Sequence, residues 1–175
     1  MPTLPKGMPE HVSNVRDHMR DDEILVGIIS DTHGLLRPQA IAALAGADLI
    51  IHAGDVGKPD VIEQLGRLAP TFVVRGNIDT DNWAARLPLT ERVAAGALRF
   101  FVLHEIAQLD FDPGAAGFAA VVFGHSHRPS IDMRGEVLFL NPGSAGPRRF
   151  KLPVTVARVR VSGRHLRPEI VDLQP

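Results

Sequence analysis

The stretch ILVGII at residues 24–29 runs directly into SDTHG at residues 30–34, and this junction decides the fold. A short, continuous apolar run is typical of a strand that is buried on both faces of a parallel sheet. The turn that follows carries a carboxylate, Asp31, and an imidazole, His33. In open α/β sheets, ligands bind beyond the carboxyl ends of the strands. The junction therefore predicts both a parallel sheet and a site at its edge.

The same succession of strand, polar turn and helix recurs along the next 50 residues or so of the chain. The elements predicted there are strands at residues 49–52 and 71–74 and helices at residues 38–44 and 59–68. Each helix has a proline near its start, and the two strands end at Gly54-Asp55 and Gly76-Asn77. Three β–loop–α units in succession predict a parallel sheet with right-handed crossovers.

The second half of the chain changes to strands that are separated by tight turns. Arg134-Gly135 and Ser162-Gly163 are typical of hairpin turns, and residues 114–117 are expected to interrupt one short helix. Strands are predicted at residues 98–103, 120–123, 131–133, 137–140, 154–161 and 165–173. Together with the parallel units, they predict a layered α/β domain with a mixed central sheet or two sheets packed face to face.

Length and composition limit the classes of protein to consider. The 175 residues fit one domain, which we assign to residues 23–175, whereas residues 1–22 are expected to form a flexible tail. A net charge of −1 and an aromatic content of 5% argue against nucleic acid as a partner. No apolar run approaches the ~20 residues that span a bilayer, and the chain has no cysteine. We therefore expect a cytoplasmic protein without disulfides, thiol catalysis or a membrane partner.

Five polar clusters at predicted strand ends supply oxygen and imidazole groups and no sulfur. Asp and Asn oxygens suit hard divalent ions, and imidazole adds affinity for Mn²⁺, Fe²⁺ or Zn²⁺. Seven ligands are too many for one catalytic ion that keeps an open position, so they predict two ions that share a bridging carboxylate. The seven candidates are Asp31, His33, Asp55, Asn77, His104, His125 and His127.

Each cluster has an ordinary structural explanation when it is taken alone. Asp31 could close a turn through an Asx hydrogen bond, and His104 could be a satisfied core histidine. His125 and His127 are the strongest pair, because residues i and i+2 project to the same side of an extended segment. The order of all five clusters, each at a strand exit, favours a shared metal site. His52 is expected to end a strand or support the ligands, and the remaining histidines lack partners at ligand spacing: His11, His18 and His165.

The ordered set D-x-H, GD, GN, H and GHxH, between about residues 24 and 161, resembles the calcineurin-like metallophosphoesterases. Within them it is similar to a small bacterial and archaeal phosphodiesterase branch, of which the eukaryotic retromer subunit is a degenerate relative. Asn141-Pro142-Gly143-Ser144 is a further shared mark. The resemblance implies an α/β fold of two mixed β-sheets packed face to face and flanked by helices. It also implies a homodimer or homotetramer.

The resemblance further implies which residues hold which ion. Asp55 would bridge the two ions and, with Asn77, belong to the catalytic set. One ion would be held by Asp31, His33 and His127, and the other by Asn77, His104 and His125. Mn²⁺ is the favoured metal, with Fe²⁺, Zn²⁺ and Ni²⁺ as alternatives.

The chain departs from the family pattern at two places. Many members have a histidine after the Gly-Asn pair that protonates the leaving oxygen, whereas this chain has Ile78, which cannot transfer a proton. Asp79 is the nearest candidate acid, with a helix or turn cap as its alternative role. The His-Gly-His sequence of the family is replaced by His104-Glu105-Ile106, so that Glu105 stands where a small residue is common beside the metals.

The predicted activity is hydrolysis of a small phosphodiester or nucleotide-like substrate by a hydroxide that bridges two metal ions. No covalent intermediate is needed, which agrees with the absence of cysteine and of a G-x-S-x-G motif. Arg75 and Arg148 are candidates for binding the substrate phosphate, whereas Arg149 is expected to be a solvated surface charge. Two alternatives stay open, a phosphomonoesterase or nucleotidase with the same metals and a scaffold protein that lost catalysis.

Overall fold

The structure, a computed structural model, describes residues 23–174. The predicted flexible tail, residues 1–22, lies outside the described residues. In chain order the elements are β1 (Glu23–Ile29), α1 (Pro38–Leu44), β2 (Leu49–His52), α2 (Pro59–Gly66), β3 (Thr71–Val73), β4 (Thr90–Ala95), β5 (Leu98–Leu103), β6 (Ala120–Val122), β7 (Ser130–Arg134), β8 (Val137–Asn141), β9 (Thr155–Ser162) and β10 (His165–Asp172). Short 3₁₀ turns at Ala84–Arg86 and Ile106–Gln108 complete them.

The first sheet has the strand order β10-β9-β1-β2-β3. β1, β2 and β3 are parallel, and β9 pairs antiparallel with the other edge of β1. Side chains of β1 alternate between two cores, with Val26 and Ile28 facing the second sheet and Ile29 facing the helices. A Cβ on Gly27 would lie 2.8 Å from Cδ2 of Leu44, so the glycine lets α1 pack directly on the strand.

The second sheet has the strand order β4-β5-β6-β8-β7. Its three central strands are parallel, and β4 and β7 close the edges in antiparallel pairing. The two sheets bury a shared apolar layer in which Phe100 and Leu140 are fully inaccessible. The outer face carries Phe101, Phe118 and Phe139, which pack under the segment between β5 and β6. The two α-helices share their apolar core with the first sheet and lie on its outer face.

The predicted α/β fold with two mixed sheets packed face to face and flanking helices is confirmed by this arrangement. The structure differs from the sequence-based prediction at three places. The edge strand β4 was not predicted from the sequence. The short helix expected to be interrupted at residues 114–117 is replaced by consecutive turns, because Pro113 and two glycines leave only isolated backbone bonds such as Phe118 N–H to Pro113 O at 2.9 Å. The third β–loop–α unit ends in the 3₁₀ turn Ala84–Arg86 rather than in an α-helix.

Neither α-helix among the described residues has the length and apolar character required to cross a bilayer.

Candidate metal centre

The seven predicted ligands follow five strands that belong to both sheets, and the structure brings all seven side chains together. β1 is followed by Asp31 and His33, and β6 by His125 and His127. The loops after β2, β3 and β5 contribute one side chain each. Polar atoms of neighbouring members approach within 3.1–4.0 Å, and these approaches connect the whole set: Asp31, His33, Asp55, Asn77, His104, His125 and His127.

A first group consists of Asp31, His33 and His127. Oδ1 of Asp31 lies 3.2 Å from Nε2 of His127 and 4.0 Å from Nε2 of His33, and the two Nε2 atoms are 3.3 Å apart. The other oxygen, Oδ2, accepts Ser30 Oγ–H at 2.6 Å and the His125 N–H at 3.2 Å. Oδ1 is buried and has no hydrogen-bond donor among the described residues. A buried, unbonded carboxylate oxygen facing two imidazole nitrogens fits a bound cation.

A second group consists of Asp55, Asn77, His104 and His125. Nδ1 of His104 donates to the Ala53 carbonyl at 2.7 Å, so the neutral ring turns an unprotonated Nε2 toward the group. That nitrogen lies 3.3 Å from Oδ1 of Asp55 and 3.1 Å from Oδ1 of Asn77. Oδ1 of Asn77 is also 3.1 Å from Nδ1 of His125. Nε2 of His104, Oδ1 of Asp55 and Oδ1 of Asn77 are all electron-pair donors. Because they face one another, they require a proton or a metal ion between them.

Asp55 lies between the two groups. Its Oδ1 faces His104, and its Oδ2 lies 4.0 Å from Nε2 of His33 in the first group. Oδ1 also accepts the Ile78 N–H at 3.0 Å, which fixes the orientation of the carboxylate. One carboxylate with an oxygen toward each group fits a bridging ligand.

The charges within the cluster stabilise one another. Burial raises the pKa of Asp55, but bonds from His104 and from the Ile78 N–H outweigh it and hold that pKa below its ordinary value. Burial similarly opposes protonation of His104, yet the Asp55 carboxylate raises the pKa of that imidazole above its ordinary value. Burial lowers the pKa of His33. The second group thus attracts positive charge, whereas the His33 imidazole is kept neutral and able to bind a metal.

The backbone at the cluster is strained. Seven non-glycine residues in the described part of the chain have a positive φ, a region that L-residues rarely occupy, and five of them are candidate ligands. Bonds from Asp31 N–H to Gly54 O and from His33 N–H to Asp55 O, both 3.0 Å, hold two of the loops against each other. Strain of this kind persists at functional sites when the surrounding structure fixes it. The five are Asp31 (53°), His33 (47°), Asp55 (54°), His125 (69°) and His127 (58°).

Two glycines next to ligands permit the close approach of the loops. A Cβ on Gly76 would lie 2.1 Å from both the backbone nitrogen and Oδ1 of Asp55. A Cβ on Gly124 would lie 2.1 Å from Oγ of Ser30 and 2.7 Å from Oδ2 of Asp31. Any side chain at these positions would displace a carboxylate. Steric crowding therefore explains why glycine stands in the Gly-Asn and Gly-His pairs.

The chain matches a known protein family over most of its length. The calcineurin-like phosphoesterase superfamily domain matches residues 24–164. The chain belongs to the calcineurin-like phosphoesterase superfamily. A probable metallophosphoesterase from Methanothermobacter thermautotrophicus is 32% identical over 160 residues, which cover 85% of this chain and 92% of that protein. Phosphodiesterase YfcE from Escherichia coli K12 is 30% identical over 139 residues, which cover 66% of this chain and 76% of that protein.

Solved structures agree with the superfamily fold. A predicted phosphoesterase from Streptococcus pneumoniae superimposes with a TM-score of 0.68 at 25% identity, covering 86% of this chain and 90% of that one. Vps29 from Cryptosporidium parvum superimposes with a TM-score of 0.69 at 19% identity, covering 87% of this chain and 98% of that one. The second likeness concerns the fold alone.

His52 ends β2 and also supports the candidate ligand loops after β1 and β2, the two roles expected from the sequence. Its Nδ1 accepts the Gly54 N–H at 3.2 Å, so Nε2–H donates to Oγ1 of Thr32 at 2.9 Å. The Thr32 hydroxyl in turn donates to the Val56 carbonyl at 2.9 Å. Complete burial lowers the pKa of His52 to about 4, so the ring stays neutral and keeps this tautomer.

The Asn-Pro-Gly-Ser turn of this superfamily member holds the candidate ligand loops after β1 and β6 in place. The Asn141 side-chain amide donates to the Gly124 carbonyl at 2.9 Å and to Oγ of Ser126 at 3.1 Å. The Ser144 hydroxyl donates to the Asp31 carbonyl at 2.9 Å. The sequence indicated this turn only as a family mark, because its partners are distant along the chain.

Asp79 is bound to backbone amides rather than turned toward the ligand cluster. Its Oδ2 accepts the N–H groups of Val56 at 3.1 Å and Gly76 at 2.9 Å, and its Oδ1 accepts that of Gly57 at 2.9 Å. The carboxylate is buried and joins the loops after β2 and β3. This geometry corresponds to the capping alternative, and the role of Asp79 as an acid stays a prediction.

The arginines near the cluster differ in how they are held. Arg75 is half-buried, and its side chain has no hydrogen bond or ion pair among residues 23–174. Nε of Arg148 donates to the Leu152 carbonyl at 3.3 Å, within its own loop. Arg149 lies close enough to His33 for its charge to help lower the pKa of that imidazole, which the sequence did not indicate. Substrate contacts by Arg75 and Arg148 stay predictions.

Proposed function

We propose that the chain is a phosphodiesterase that hydrolyses small phosphodiester or nucleotide-like substrates with two divalent ions, of which Mn²⁺ is favoured. The observation that carries the proposal is the position of Asp55, whose two oxygens face two separate groups of ligand atoms. The similarity to Phosphodiesterase YfcE supports a diester as the substrate class. A phosphoesterase activity agrees with the superfamily to which the chain belongs.

Each side chain has a definite task in this proposal. Asp31, His33 and His127 would hold one ion, Asn77, His104 and His125 would hold the other, and Asp55 would be shared between them. When bound, such a pair of ions supplies Lewis acidity and makes water a nucleophile at neutral pH. The Ala53 carbonyl keeps the His104 ring in the tautomer that presents Nε2. Ile78 places no proton donor beside the leaving oxygen, so the site favours esters with good leaving groups.

Two alternatives are separated by experiment. A phosphomonoesterase or nucleotidase would use the same ligands on a different ester. A scaffold protein that lost catalysis would not need seven convergent ligands, and the complete set argues against it. The homodimer or homotetramer and the cytoplasmic location also stay predictions.

Metal analysis and a phosphoester assay test the proposal together. We expect about two Mn²⁺ ions per chain and a higher kcat/KM on bis(4-nitrophenyl) phosphate than on 4-nitrophenyl phosphate. Asp55→Ala and Asn77→Ala should each lower kcat/KM by about 100-fold or more, since even residues that only support ligands are worth roughly 10- to 100-fold. Asp132→Asn, on exposed β7, is the matched control. Activity that survives in Asp55→Ala would refute the two-metal proposal, and a preference for the monoester would favour the first alternative.

A further inference from the structure

The loop at residues 147–152, here called the arginine loop, is fixed at its base to the first ligand loop. A Cβ on Gly146 would lie 2.4 Å from the Thr32 carbonyl oxygen and 2.5 Å from that of Asp31, so the two backbones are in direct contact. Nε and Nη2 of Arg37 both donate to the Gly146 carbonyl, at 3.3 and 3.2 Å. The arginine loop therefore begins at a fixed position beside the first group of ligands.

The loop is closed internally and leaves one guanidinium free. The Leu152 N–H donates to the Arg149 carbonyl at 3.1 Å, and Nε of Arg148 donates to the Leu152 carbonyl at 3.3 Å. The Arg149 side chain is exposed and makes no hydrogen bond or ion pair within the described part of the chain. Arg149 is three residues from Gly146, a span of roughly 10 Å at most. Its planar fork of donors is suited to two phosphate oxygens at once.

Phe150, the next residue, has an unusual conformation. Its side chain is 94% exposed, more than any other large hydrophobic residue of the described chain, and its φ is 54°. A bulky L-residue in the left-handed region is uncommon, and packing of the ring against residues 23–174 does not offset it, since Phe150 is almost fully exposed there. Phe150 directly follows Arg149 in the chain, and both residues are exposed, so the arginine loop offers one group for stacking and one for an anion.

We propose that the arginine loop is a substrate clamp in which Arg149 binds the phosphate and Phe150 stacks on an aromatic ester group, either an aryl ring or a nucleobase. The inference rests on the proposed function and specifies its substrate class as phosphoesters of aryl alcohols or nucleosides. It assigns the phosphate contact to Arg149 rather than to Arg148, whose guanidinium is bound within the loop. Burial of the exposed ring then occurs only when substrate is bound.

Equilibrium binding of phosphonates, which are not hydrolysed, tests the clamp on the full chain loaded with Mn²⁺. Calorimetry should show phenylphosphonate binding about tenfold more tightly than methylphosphonate, which corresponds to one aromatic pair. Phe150→Ala should abolish this preference, and Phe150→Trp should retain it. Arg149→Met should weaken both ligands by about tenfold or more, whereas Arg164→Met, in the β9–β10 turn, should change neither.

The clamp is refuted if Phe150→Ala keeps the aromatic preference, if Arg149→Met binds both phosphonates like the wild type, or if the wild type binds neither. A loss in Arg148→Met without one in Arg149→Met would return the phosphate contact to Arg148. Because binding needs no turnover, a protein that shows the expected pattern but hydrolyses no phosphodiester retains the clamp and refutes the proposed activity. If the protein hydrolyses a phosphodiester but Phe150→Ala leaves phosphonate binding unchanged, the clamp is refuted and the proposed activity is not.

Discussion

Nε2 of His104 lies 3.3 Å from Oδ1 of Asp55, while Nδ1 of the same ring is bound to a backbone carbonyl. The carbonyl fixes which nitrogen is available, and the carboxylate raises the pKa of His104 above its ordinary value despite burial. A proton and a metal ion therefore compete for one position between the two side chains. This relationship joins the second sheet, through β5, to the loop after β2 of the first sheet.

The neutral His52 makes the metal-free protein sensitive to acid. Its pKa is about 4 when folded against an ordinary value of 6.5. At pH values between about 4 and 6.5, His52 binds a proton in the unfolded chain but not in the folded chain. The contribution of His52 to the free energy of unfolding is therefore complete above pH 6.5 and is lost as the pH falls toward 4.

Urea unfolding in EDTA at pH 7 and pH 5 measures this effect. About 2 kcal/mol of the stability lost between these pH values should come from His52. His52→Gln should lose less stability than the wild type by about that amount, while His165→Gln, on exposed β10, should follow the wild type. Equal pH dependence in His52→Gln and the wild type would contradict the assignment.

Strands that carry a continuous apolar run could be predicted closely from the sequence. β1 has such a run at residues 24–29 and β5 at residues 100–103, and the ends of both strands were predicted within one residue. β4 was missed because only Val93 and Ala95 of its six residues are buried, so an edge strand with charged positions lacks the apolar run. Pairing with β5, a tertiary effect, makes it a strand.

The candidate site was predictable as a cluster but not in its supporting bonds. Parallel strands place their exits at one edge, so Asp31, Asp55 and Asn77 had to be close once the sheet was recognised. The bond between His52 and Thr32 and the position of Arg149 depend on contacts between loops far apart in the chain. No local pattern encodes those contacts.

Gly76 should be intolerant of any side chain. Because a Cβ there would overlap Asp55, Gly76→Ala should destabilise the protein by about 1–3 kcal/mol and reduce Mn²⁺ binding. Gly66, at the end of α2, has no heavy atom within 4 Å of an added Cβ, so Gly66→Ala should be neutral or stabilise by up to about 1 kcal/mol. Denaturant unfolding and metal titration measure both variants. If Gly76→Ala binds Mn²⁺ with unchanged affinity, the loops after β2 and β3 can move apart without damage to the metal site, which contradicts the prediction.

Glu105 is expected to orient a ligand histidine. Nδ1 of His125 faces Asn77, and its Nε2 lies 4.0 Å from Oε1 of Glu105, with both side chains partly exposed. An exposed ion pair is worth up to ~1 kcal/mol, so Glu105→Gln should weaken Mn²⁺ binding about two- to fivefold. Calorimetric titration compares it with Glu136→Gln, a change in the β7–β8 turn. Tighter Mn²⁺ binding in Glu105→Gln would mean that Glu105 hinders the ion.

The absence of a proton donor at Ile78 should limit the enzyme to good leaving groups. The Ile78 N–H donates to Oδ1 of Asp55, and the residue is 41% exposed, so position 78 adjoins the Asp55 carboxylate and has room for a larger polar group. General acids contribute about 10²- to 10⁴-fold. Ile78→His should therefore raise kcat/KM on an alkyl phosphodiester by about tenfold or more and change kcat/KM on bis(4-nitrophenyl) phosphate little.

Ile78→Gln is the matched control for this gain, since it adds polarity at the same place without a group that titrates near neutrality. Only the histidine variant should show a rate on the alkyl ester that declines as the pH rises through the pKa of the new imidazole. An equal gain in Ile78→Gln would assign the effect to polarity rather than to proton transfer. The wild type could also hydrolyse alkyl phosphomonoesters as fast as aryl phosphodiesters. A poor leaving group would then depart without help from position 78, so the enzyme would already have a general acid elsewhere.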